Sequence, residues 1–259
     1  MTGKDGKKVF LLGGHDLEMV TIKELLQSRD DCVVADKNLC WDNAWLTAYW
    51  YELLVYAKCE IYGIELMDNL ELHGDMKKNY HRINHHNNYS SLPSSLEQVA
   101  TVLGVELNRW QRLVAANDSG YIPAMKALGA TDEEVAAIRL ADRAAQGVTE
   151  EDERLAEKSI EDNLLKLKNI WIVKSQTKRF SAICDRLYPY RRLLVFTDRV
   201  WMFYGDGKSE LVSALERDIR LGKVFYGGGD SGYVGCVEMA YRKADIQFIV
   251  EQIKKRYDA

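Results

Sequence analysis

The sequence lacks several features that would place it in common classes of protein. Only 3 of its 259 residues are proline while 47% are hydrophobic, a composition that supports a packed core and argues against long disordered segments. No apolar run approaches the roughly 20 residues of a membrane span. The polar start Met1–Lys8 and the short apolar run Val9–Leu12 do not form a signal peptide. We therefore expect a soluble, cytoplasmic protein with no membrane partner.

Two further absences concern metals and nucleic acids. The five cysteines include no C-x-x-C pair, which argues against a zinc ribbon and favours reduced thiols. The net charge is -4 and the pI about 5.8, so the basic excess of proteins that bind long nucleic acid is missing. Long nucleic acid is therefore not an expected partner. A nucleotide ligand would be small or held at one local basic site.

Short apolar runs alternate with helical patterns over the first 130 residues or so, which predicts a parallel α/β sheet. The predicted strands are Lys8–Leu12, Cys32–Ala35, Glu60–Leu66 and Tyr80–Ile83. The predicted helices are Leu17–Gln27, Asp42–Ala57, Ser94–Leu103, Thr131–Ala145 and Thr149–Leu167. Several of these helices begin with a Ser or Thr cap and an acid three residues later.

The pattern changes after the charged helix, where β-rich runs become short and frequent. Asp198-Arg199 lies between two of them and predicts a hairpin. We predict a parallel-sheet N-terminal domain over residues 1–148, a helical linker over 149–168 and a smaller α+β domain over 169–259. The sequence leaves the oligomeric state open, including a homodimer.

Histidines and acids follow the predicted strands. They are His15, Asp16, Glu18, Asp36, Glu65, His85, His86 and, after a later apolar segment, Asp118. The carboxyl ends of parallel strands share one edge of a sheet, where ligands gather. Mn²⁺ and Mg²⁺ prefer carboxylate oxygens, and Mn²⁺ also accepts imidazole. An acid after a strand is also a common cap or turn residue, and this interpretation is strongest for Asp16 and Asp36.

The order of five short motifs matches a known family. The motifs are Gly13-Gly14-His15-Asp16, a strand-end acid, Ile83-Asn84-His85-His86-Asn87, Ser94-Ser95-Leu96-Glu97-Gln98 and Ala116-Asn117-Asp118. Together they resemble the DHH phosphoesterase superfamily. The glycine-rich segment Gly227–Gly232 is similar to the loop of the DHHA1 domain that accompanies it. The resemblance covers most of the chain, and the His-His segment with the following helix is its most specific part.

The resemblance implies a hydrolase with Mn²⁺ or Mg²⁺, expected as two ions. It implies a metal-ligand set made of His15, Asp16, Glu18, Glu65, His85 and Asp118. It places His86 close to the scissile phosphate, so we treat Asn84 and His86 as the catalytic positions. Candidate substrate contacts in the glycine-rich segment are Gly227, Gly228, Gly229, Ser231 and Gly232. Lys174 and Arg191 are candidate basic contacts. Tyr188 and Tyr190, close to Arg191 in the sequence, can stack a base.

The sequence departs from the family pattern at three places. The first motif is compressed to His-Asp-Leu-Glu, and Glu65 is one methylene longer than the usual Asp. The signature reads Asn84-His85-His86 instead of Asp-His-His, and an amide cannot supply the negative charge that orients a histidine or holds a metal. Our hypothesis is that the chain is an inactive engineered form or a natural variant with reduced activity.

Three functions remain open from the sequence. The leading one is hydrolysis of a small nucleotide phosphodiester or phosphomonoester. The second is an inorganic pyrophosphatase or polyphosphatase, which uses a similar metal centre without contacts to a base. The third is a nucleotide-binding module that has lost catalysis, which Asn84 and the short first motif favour.

Overall fold

The computed structural model describes residues 7–40, 43–86, 89, 91–227 and 232–257. The chain divides into two compact units, Met1–Gly147 and Val148–Ala259. In the part of the chain that is described, no helix has the length and apolar character needed to cross a membrane.

The first unit is built on a parallel sheet. Its described strands are β1 (Lys8–Leu12), β2 (Cys32–Asp36), β3 (Glu60–Ile64) and β4 (Tyr80–Ile83), in the order β2-β1-β3-β4. All three pairings are parallel. Side chains of β1 alternate between two buried cores, Phe10 and Leu12 on one face and Val9 and Leu11 on the other. The predicted parallel α/β sheet is confirmed.

Helices cover both faces of this sheet. They are α1 (Leu17–Gln27), a short 3-10 turn (Leu46–Tyr49), α2 (Trp50–Val55), α3 (Gly74–Asn79), α4 (Ser95–Leu103), α5 (Arg109–Ala127) and α6 (Asp132–Ala145). Ser94 begins α4 and Thr131 begins α6, each with a reciprocal capping box to the acid three residues later. The predicted caps are therefore formed. Helix α5 breaks its helical backbone at Gly120 and Tyr121, two residues after Asp118.

The helical stretch predicted over residues 42–57 is shorter in the structure, where it comprises the 3-10 turn Leu46–Tyr49 and the helix Trp50–Val55. The backbone of Leu46 donates to the carbonyl of Met67 at 3.0 Å, and Met67 N–H donates to Ala44 at 2.7 Å. This bridge holds residues 44 and 45 outside the helix, so the helical segment begins only at Leu46. The hydroxyl of Tyr49 then donates to the carbonyl of Leu12 at 2.5 Å, which anchors the segment to the end of β1. Buried aromatic contacts override the helical spacing here.

The second unit contains a mixed sheet. Its described strands are β5 (Leu164–Lys166), β6 (Trp171–Lys174), β7 (Arg192–Phe196), β8 (Trp201–Gly205), β9 (Val224–Gly227) and β10 (Tyr233–Cys236), in the order β5-β6-β7-β8-β10-β9. Only the β6–β7 pairing is parallel among those described. The helices are α7 (Glu150–Asn163), α8 (Ser181–Leu187), α9 (Lys208–Ala214), α10 (Glu216–Arg220) and α11 (Lys243–Tyr257). The predicted smaller α+β architecture is confirmed.

The predicted hairpin is present in this unit, and the segment predicted as a linker forms part of the unit. Thr197 N–H donates to Val200 at 2.8 Å and closes the predicted hairpin at Asp198-Arg199. Residues 149–168, predicted as a helical linker, form α7 and the edge strand β5. Both elements pack within the second unit, because β5 pairs with β6 and Ala156 of α7 enters the core beside Val173.

Candidate metal centre

The candidate site lies at the carboxyl edge of the first sheet. His15 and Asp16 follow β1, Glu65 follows β3, and His85 follows β4. Strands β1, β3 and β4 are neighbours, so a parallel arrangement brings these segments to one edge. Gly13 allows the close approach of two of them, because a β carbon at this position would collide with the carbonyl oxygens of Ile64 and Glu65.

Glu65 has an unusual backbone and a fixed side chain. Its φ of 53° lies in the left-handed region, which a residue with a side chain adopts at a cost. Its N–H still donates to Ile83 at 2.8 Å and so continues the pairing with β4. The hydroxyl of Ser95, at the start of α4, donates to Glu65 Oε1 at 2.7 Å. The carboxylate is therefore held in one buried position.

Four side chains converge around this carboxylate. Glu65, His85, His86 and Asp118 each offer one ligand atom, and these atoms all lie within 4.8 Å of one another. Nε2 of His85 lies 2.5 Å from Oδ2 of Asp118 and 3.3 Å from Oε1 of Glu65. Nε2 of His86 lies 3.2 Å from the same Oε1. The structure thus brings His86, predicted beside the phosphate, together with the predicted ligands.

The first turn of α1 adds two acids. Glu18 Oε2 lies 3.4 Å from Nε2 of His85, while its Oε1 accepts from the N–H of Leu96 at 3.0 Å. Asp16 caps the helix by accepting from Met19 N–H at 2.9 Å. The capping interpretation of Asp16 is therefore realised, and the same carboxylate is buried next to the charges of Asp118 and Glu65.

The residues present fit a divalent cation. Glu18 Oε2, His85 Nε2 and Asp118 Oδ2 are buried and make no hydrogen bond of acceptable geometry. Nε2 of His85 lies 2.5 Å from the Asp118 oxygen and 3.4 Å from the Glu18 oxygen, so the three atoms are clustered in one buried place. Buried polar groups normally find partners, and a cation between them would supply one. A donor set of carboxylates with imidazole suits Mn²⁺.

Burial and the close contacts between charged side chains shift the pKa values of the residues in this site. Burial, together with the charges of Asp118 and Glu65, raises the pKa of Asp16 to about 8. Burial also raises the pKa of Glu18 to about 7, against a lowering contact from His85. Burial disfavours the charged form of His85, but Asp118, Glu18 and Glu65 outweigh it and raise its pKa to about 12. The histidines and Ser95 outweigh burial at Glu65 and lower its pKa to about 2.

His15 and Asn84 are not among the residues whose ligand atoms form this group. His15 is exposed, and it is not among the described residues that form the group. Asp36, at the end of β2, pairs with Lys23 at 2.7 Å. Asn84 is half-buried, and its Oδ1 accepts from the N–H of His86 at 2.8 Å. His15 stays a predicted ligand, and Asn84 takes a position that shapes the turn.

The candidate substrate residues lie in the second unit. Lys174 ends β6, lies 3.4 Å from Asp198, and lines a cavity of about 360 Å³ together with Thr177 and Arg199. Arg191 is exposed and pairs with Asp206 at 3.1 Å. Gly227 ends β9, and Gly232 accepts from Gly205 N–H at 2.9 Å. The predicted contacts Gly228, Gly229 and Ser231 lie outside the described residues.

One functional side chain was not identified from the sequence. From the sequence, either Ser94 or Ser95 can cap the helix, and no contact of Ser95 with the site is predicted; in the structure its hydroxyl orients Glu65. The signal that could have found it is the pair Ser94-Ser95: only one serine can occupy the cap, and Ser94 does. The second serine then lies in the first turn of α4, facing the sheet edge.

Comparisons with known proteins identify similar folds. No protein-family model matches the sequence. No curated protein sequence matches it either. A solved structure described as the DHH domain of a member of a family of ribosomal proteins is 12% identical with a TM-score of 0.47, covering 98% of this chain and 88% of that chain.

Two further solved structures are similar. The pGpG-specific phosphodiesterase PggH from Vibrio cholerae is 14% identical with a TM-score of 0.48, covering 97% of this chain and 98% of that chain. RecJ from Thermus thermophilus in complex with Mn²⁺ is 10% identical with a TM-score of 0.45, covering 98% of this chain and 53% of that chain. These likenesses concern the fold.

Proposed function

We propose that this chain is a metal-dependent phosphoesterase of the DHH type that acts on a small nucleotide phosphodiester or phosphomonoester. The observation that carries the proposal is the group Glu65, His85, His86 and Asp118, whose ligand atoms lie within 4.8 Å of one another at the carboxyl edge of the sheet. Glu18 lies at its margin, 3.4 Å from His85. This set offers a cation three acids and two imidazoles.

The roles of the side chains follow from their positions. Glu65 lies 3.3 Å from His85 and 3.2 Å from His86 through one oxygen, so it would hold a Mn²⁺ or Mg²⁺ ion together with these histidines. When bound, such ions polarise a phosphoryl group and lower the pKa of an attacking water. His86 is more exposed than His85 (36% against 4% of its side chain), so it is the histidine whose ring a substrate can reach.

A row of aromatic rings in the second unit supports a nucleotide as substrate. It runs through Tyr188, Tyr190, Tyr204, Tyr233 and Phe225, with successive ring centroids 6.2 to 6.5 Å apart. Tyr233 lies over Gly227, where a β carbon would meet its hydroxyl at 2.7 Å. Tyr233 and Phe225 remain 36% and 40% exposed. Exposed rings on a rigid sheet are the usual surface for stacking bases.

Two other functions make different predictions. A pyrophosphatase or polyphosphatase would use the same ligand group, and its activity would not depend on the aromatic row. A nucleotide-binding module without catalysis is favoured by Asn84, because an amide leaves the turn before His86 without the charge of the usual aspartate. Both alternatives are distinguished by turnover of substrates with and without a base.

The test combines metal binding with a substrate panel. Mn²⁺ is titrated by calorimetry into the metal-free chain, and hydrolysis is measured with a dinucleotide, adenosine 3′,5′-bisphosphate, bis(p-nitrophenyl) phosphate and pyrophosphate. We expect Mn²⁺ binding and hydrolysis of the nucleotides, both lost in His85→Gln. The matched control is His81→Gln, since His81 also pairs with a glutamate, Glu60, but on an exposed part of the same unit.

Each outcome of this test decides between functions. A chain that binds no Mn²⁺, or whose His85→Gln variant binds it normally, has no metal centre at this site and contradicts the proposal. Hydrolysis restricted to pyrophosphate favours the second function. Nucleotide binding without turnover, in the presence of Mn²⁺ and also in Asn84→Asp, favours the third.

A further inference from the structure

A buried ion pair on α6 lies behind the proposed metal centre and contacts both of the helices that contribute acids to it. Arg139 and Asp142 are buried, and Nη1 of Arg139 lies 2.7 Å from Oδ2 of Asp142. Neither residue belongs to the ligand group. Charged residues are rarely buried unless they are paired, and each of these two also contacts another helix.

The arginine contacts α5 on both sides of Asp118. Its Nη1 donates to Oδ1 of Asn117 at 2.9 Å. Its guanidinium lies 4.6 Å from the ring centroid of Tyr121, a cation–π distance. Asn117 directly precedes Asp118, and Tyr121 is one of the two residues at which α5 loses its helical backbone. Arg139 therefore spans the break and fixes the last regular turn of the helix, which carries Asp118.

The aspartate contacts the start of α1. Oδ1 of Asp142 accepts from the N–H of Leu17 at 3.4 Å, a contact across 125 residues of sequence. Leu17 lies between Asp16 and Glu18. The first N–H groups of a helix have no partner within the helix, so Asp142 satisfies one that would otherwise be orphaned in a buried place.

We propose that Arg139 and Asp142 are positioning residues that fix the separation between Asp118 on α5 and the Asp16–Glu18 turn on α1. The proposal rests on the metal centre proposed above. A cation requires its ligands at set distances, and this pair joins the two helices behind the site through Asn117 and Leu17. Outer partners of this kind orient metal ligands, and their loss typically weakens metal binding by about tenfold to a hundredfold.

The test measures Mn²⁺ affinity and metal-free stability in the same variants. Arg139→Lys keeps the charge but loses the Nη1 that donates to both Asn117 and Asp142 and the planar guanidinium that lies over Tyr121. Asn117→Ala removes the neutral acceptor beside Asp118, and Asn117→Asp restores an acceptor for the arginine. We expect Arg139→Lys and Asn117→Ala to weaken Mn²⁺ binding by about tenfold or more, and Asn117→Asp to bind Mn²⁺ as the unmodified chain does.

The control is the same substitution at another arginine that joins the same two helices. Arg109 pairs with Glu134 at 2.9 Å and donates to the carbonyl of Leu128, at the opposite end of the α5–α6 pair. Arg109→Lys is expected to lower the melting temperature in EDTA and to leave Mn²⁺ affinity unchanged.

The outcomes separate this proposal from the proposed function. If Arg139→Lys and Asn117→Ala only lower the melting temperature in EDTA and keep the Mn²⁺ affinity of the unmodified chain, the pair is structural and the positioning role is wrong. If the unmodified chain itself binds no Mn²⁺, the metal centre fails and the positioning role falls with it. Should Arg139→Lys not fold, Asn117→Ala and Asn117→Asp decide, because they alter only one uncharged acceptor.

Discussion

The side-chain oxygen of Asn84 accepts a hydrogen bond from the backbone N–H of His86 at 2.8 Å. This bond closes a tight Asx-type turn immediately after β4. Gln98 of α4 donates to the carbonyl of Asn84 at 3.1 Å, so the turn is held from both sides. The arrangement explains how two successive histidines can both direct Nε2 toward Glu65.

Asn84→Asp is expected to increase Mn²⁺-dependent hydrolysis of a phosphodiester. A carboxylate can accept the same bond from His86, and it adds a negative charge beside two imidazoles. Changes in such outer partners alter activity by about tenfold or more, measured as kcat/KM on the best nucleotide of the panel. Asn43→Asp is the control. Asn43 is not part of the site, and its side-chain oxygen accepts a similar hydrogen bond, 2.8 Å long, from the N–H of Cys40. No gain in the Asn84 variant would contradict the role given to the missing charge.

Ser95→Ala is expected to weaken Mn²⁺ binding by roughly tenfold. The hydroxyl of Ser95 holds Oε1 of Glu65 at 2.7 Å and helps to keep the pKa of that carboxyl low. Without it, Glu65 loses its fixed position. The measurement is a calorimetric titration with Mn²⁺. Ser159→Ala is the matched control: this buried serine donates to Leu155 and accepts from Gln176 in the second unit, so its loss should cost about 1 kcal/mol of stability and no metal affinity.

Glu18→Gln is expected to stabilise the metal-free protein at pH 8 and to reduce its stabilisation by Mn²⁺. Burial raises the pKa of Glu18 to about 7, so its charged form is unfavourable in the folded state at pH 8. Glutamine keeps the acceptor for Leu96 N–H and removes the charge. The gain is on the order of 1 kcal/mol, or a few degrees in Tm measured in EDTA.

The same substitution at Glu97 serves as the control for Glu18. Glu97 accepts from the N–H of Ser94 in the capping box of α4, and it is not part of the ligand group. Glu97→Gln should change neither the metal-free stability by more than a few tenths of a kcal/mol nor the Tm shift that Mn²⁺ produces. A loss of metal-free stability in Glu18→Gln would show that the glutamate charge is favourable where it lies.

Tyr233→Leu is expected to raise KM for nucleotide substrates while leaving kcat and the KM for bis(p-nitrophenyl) phosphate unchanged. Loss of one stacked base costs about 1–3 kcal/mol of binding. Tyr226→Leu is the control from the adjacent strand. Tyr226 shares a face of β9 with buried Val224, opposite to the face of Phe225 and Gly227, because side chains alternate along a strand. Equal effects of the two variants would argue against a stacking surface.

The sheet and its site-bearing edge could be predicted from the sequence because local signals there agree. Strands β1 and β4 and helix α1 have the predicted bounds, since apolar runs, Gly13 and the Asp16 cap all mark the same boundaries. Glu65 and His85 could then be placed at one edge by topology alone. The identity of Ser95 as a partner of Glu65 could not, because it depends on a contact across 30 residues.

Other parts of the site depend on contacts between residues distant in sequence, which the local sequence pattern does not predict. Ser119-Gly120 predicts a turn, and the helical backbone does break at Gly120, but nothing in the local sequence shows that Asp118 lies on the last helical turn before the break. Arg139 lies in an amphipathic helix, where a charge normally predicts exposure, and its burial depends on Asn117 and Asp142. The second sheet also contains two strands, β5 and β10, that the sequence pattern does not predict.

The left-handed backbone of Glu65 determines which acids this position can accept. Asparagine and aspartate adopt that conformation most readily among residues with a side chain, so an aspartate would lie there with less strain. Its carboxylate, however, would end one methylene short of the oxygen position that contacts Ser95, His85 and His86. The left-handed backbone therefore favours an aspartate at this position, whereas the contacts with Ser95, His85 and His86 require the longer side chain of glutamate. The presence of Glu65 shows that the contacts outweigh the backbone strain.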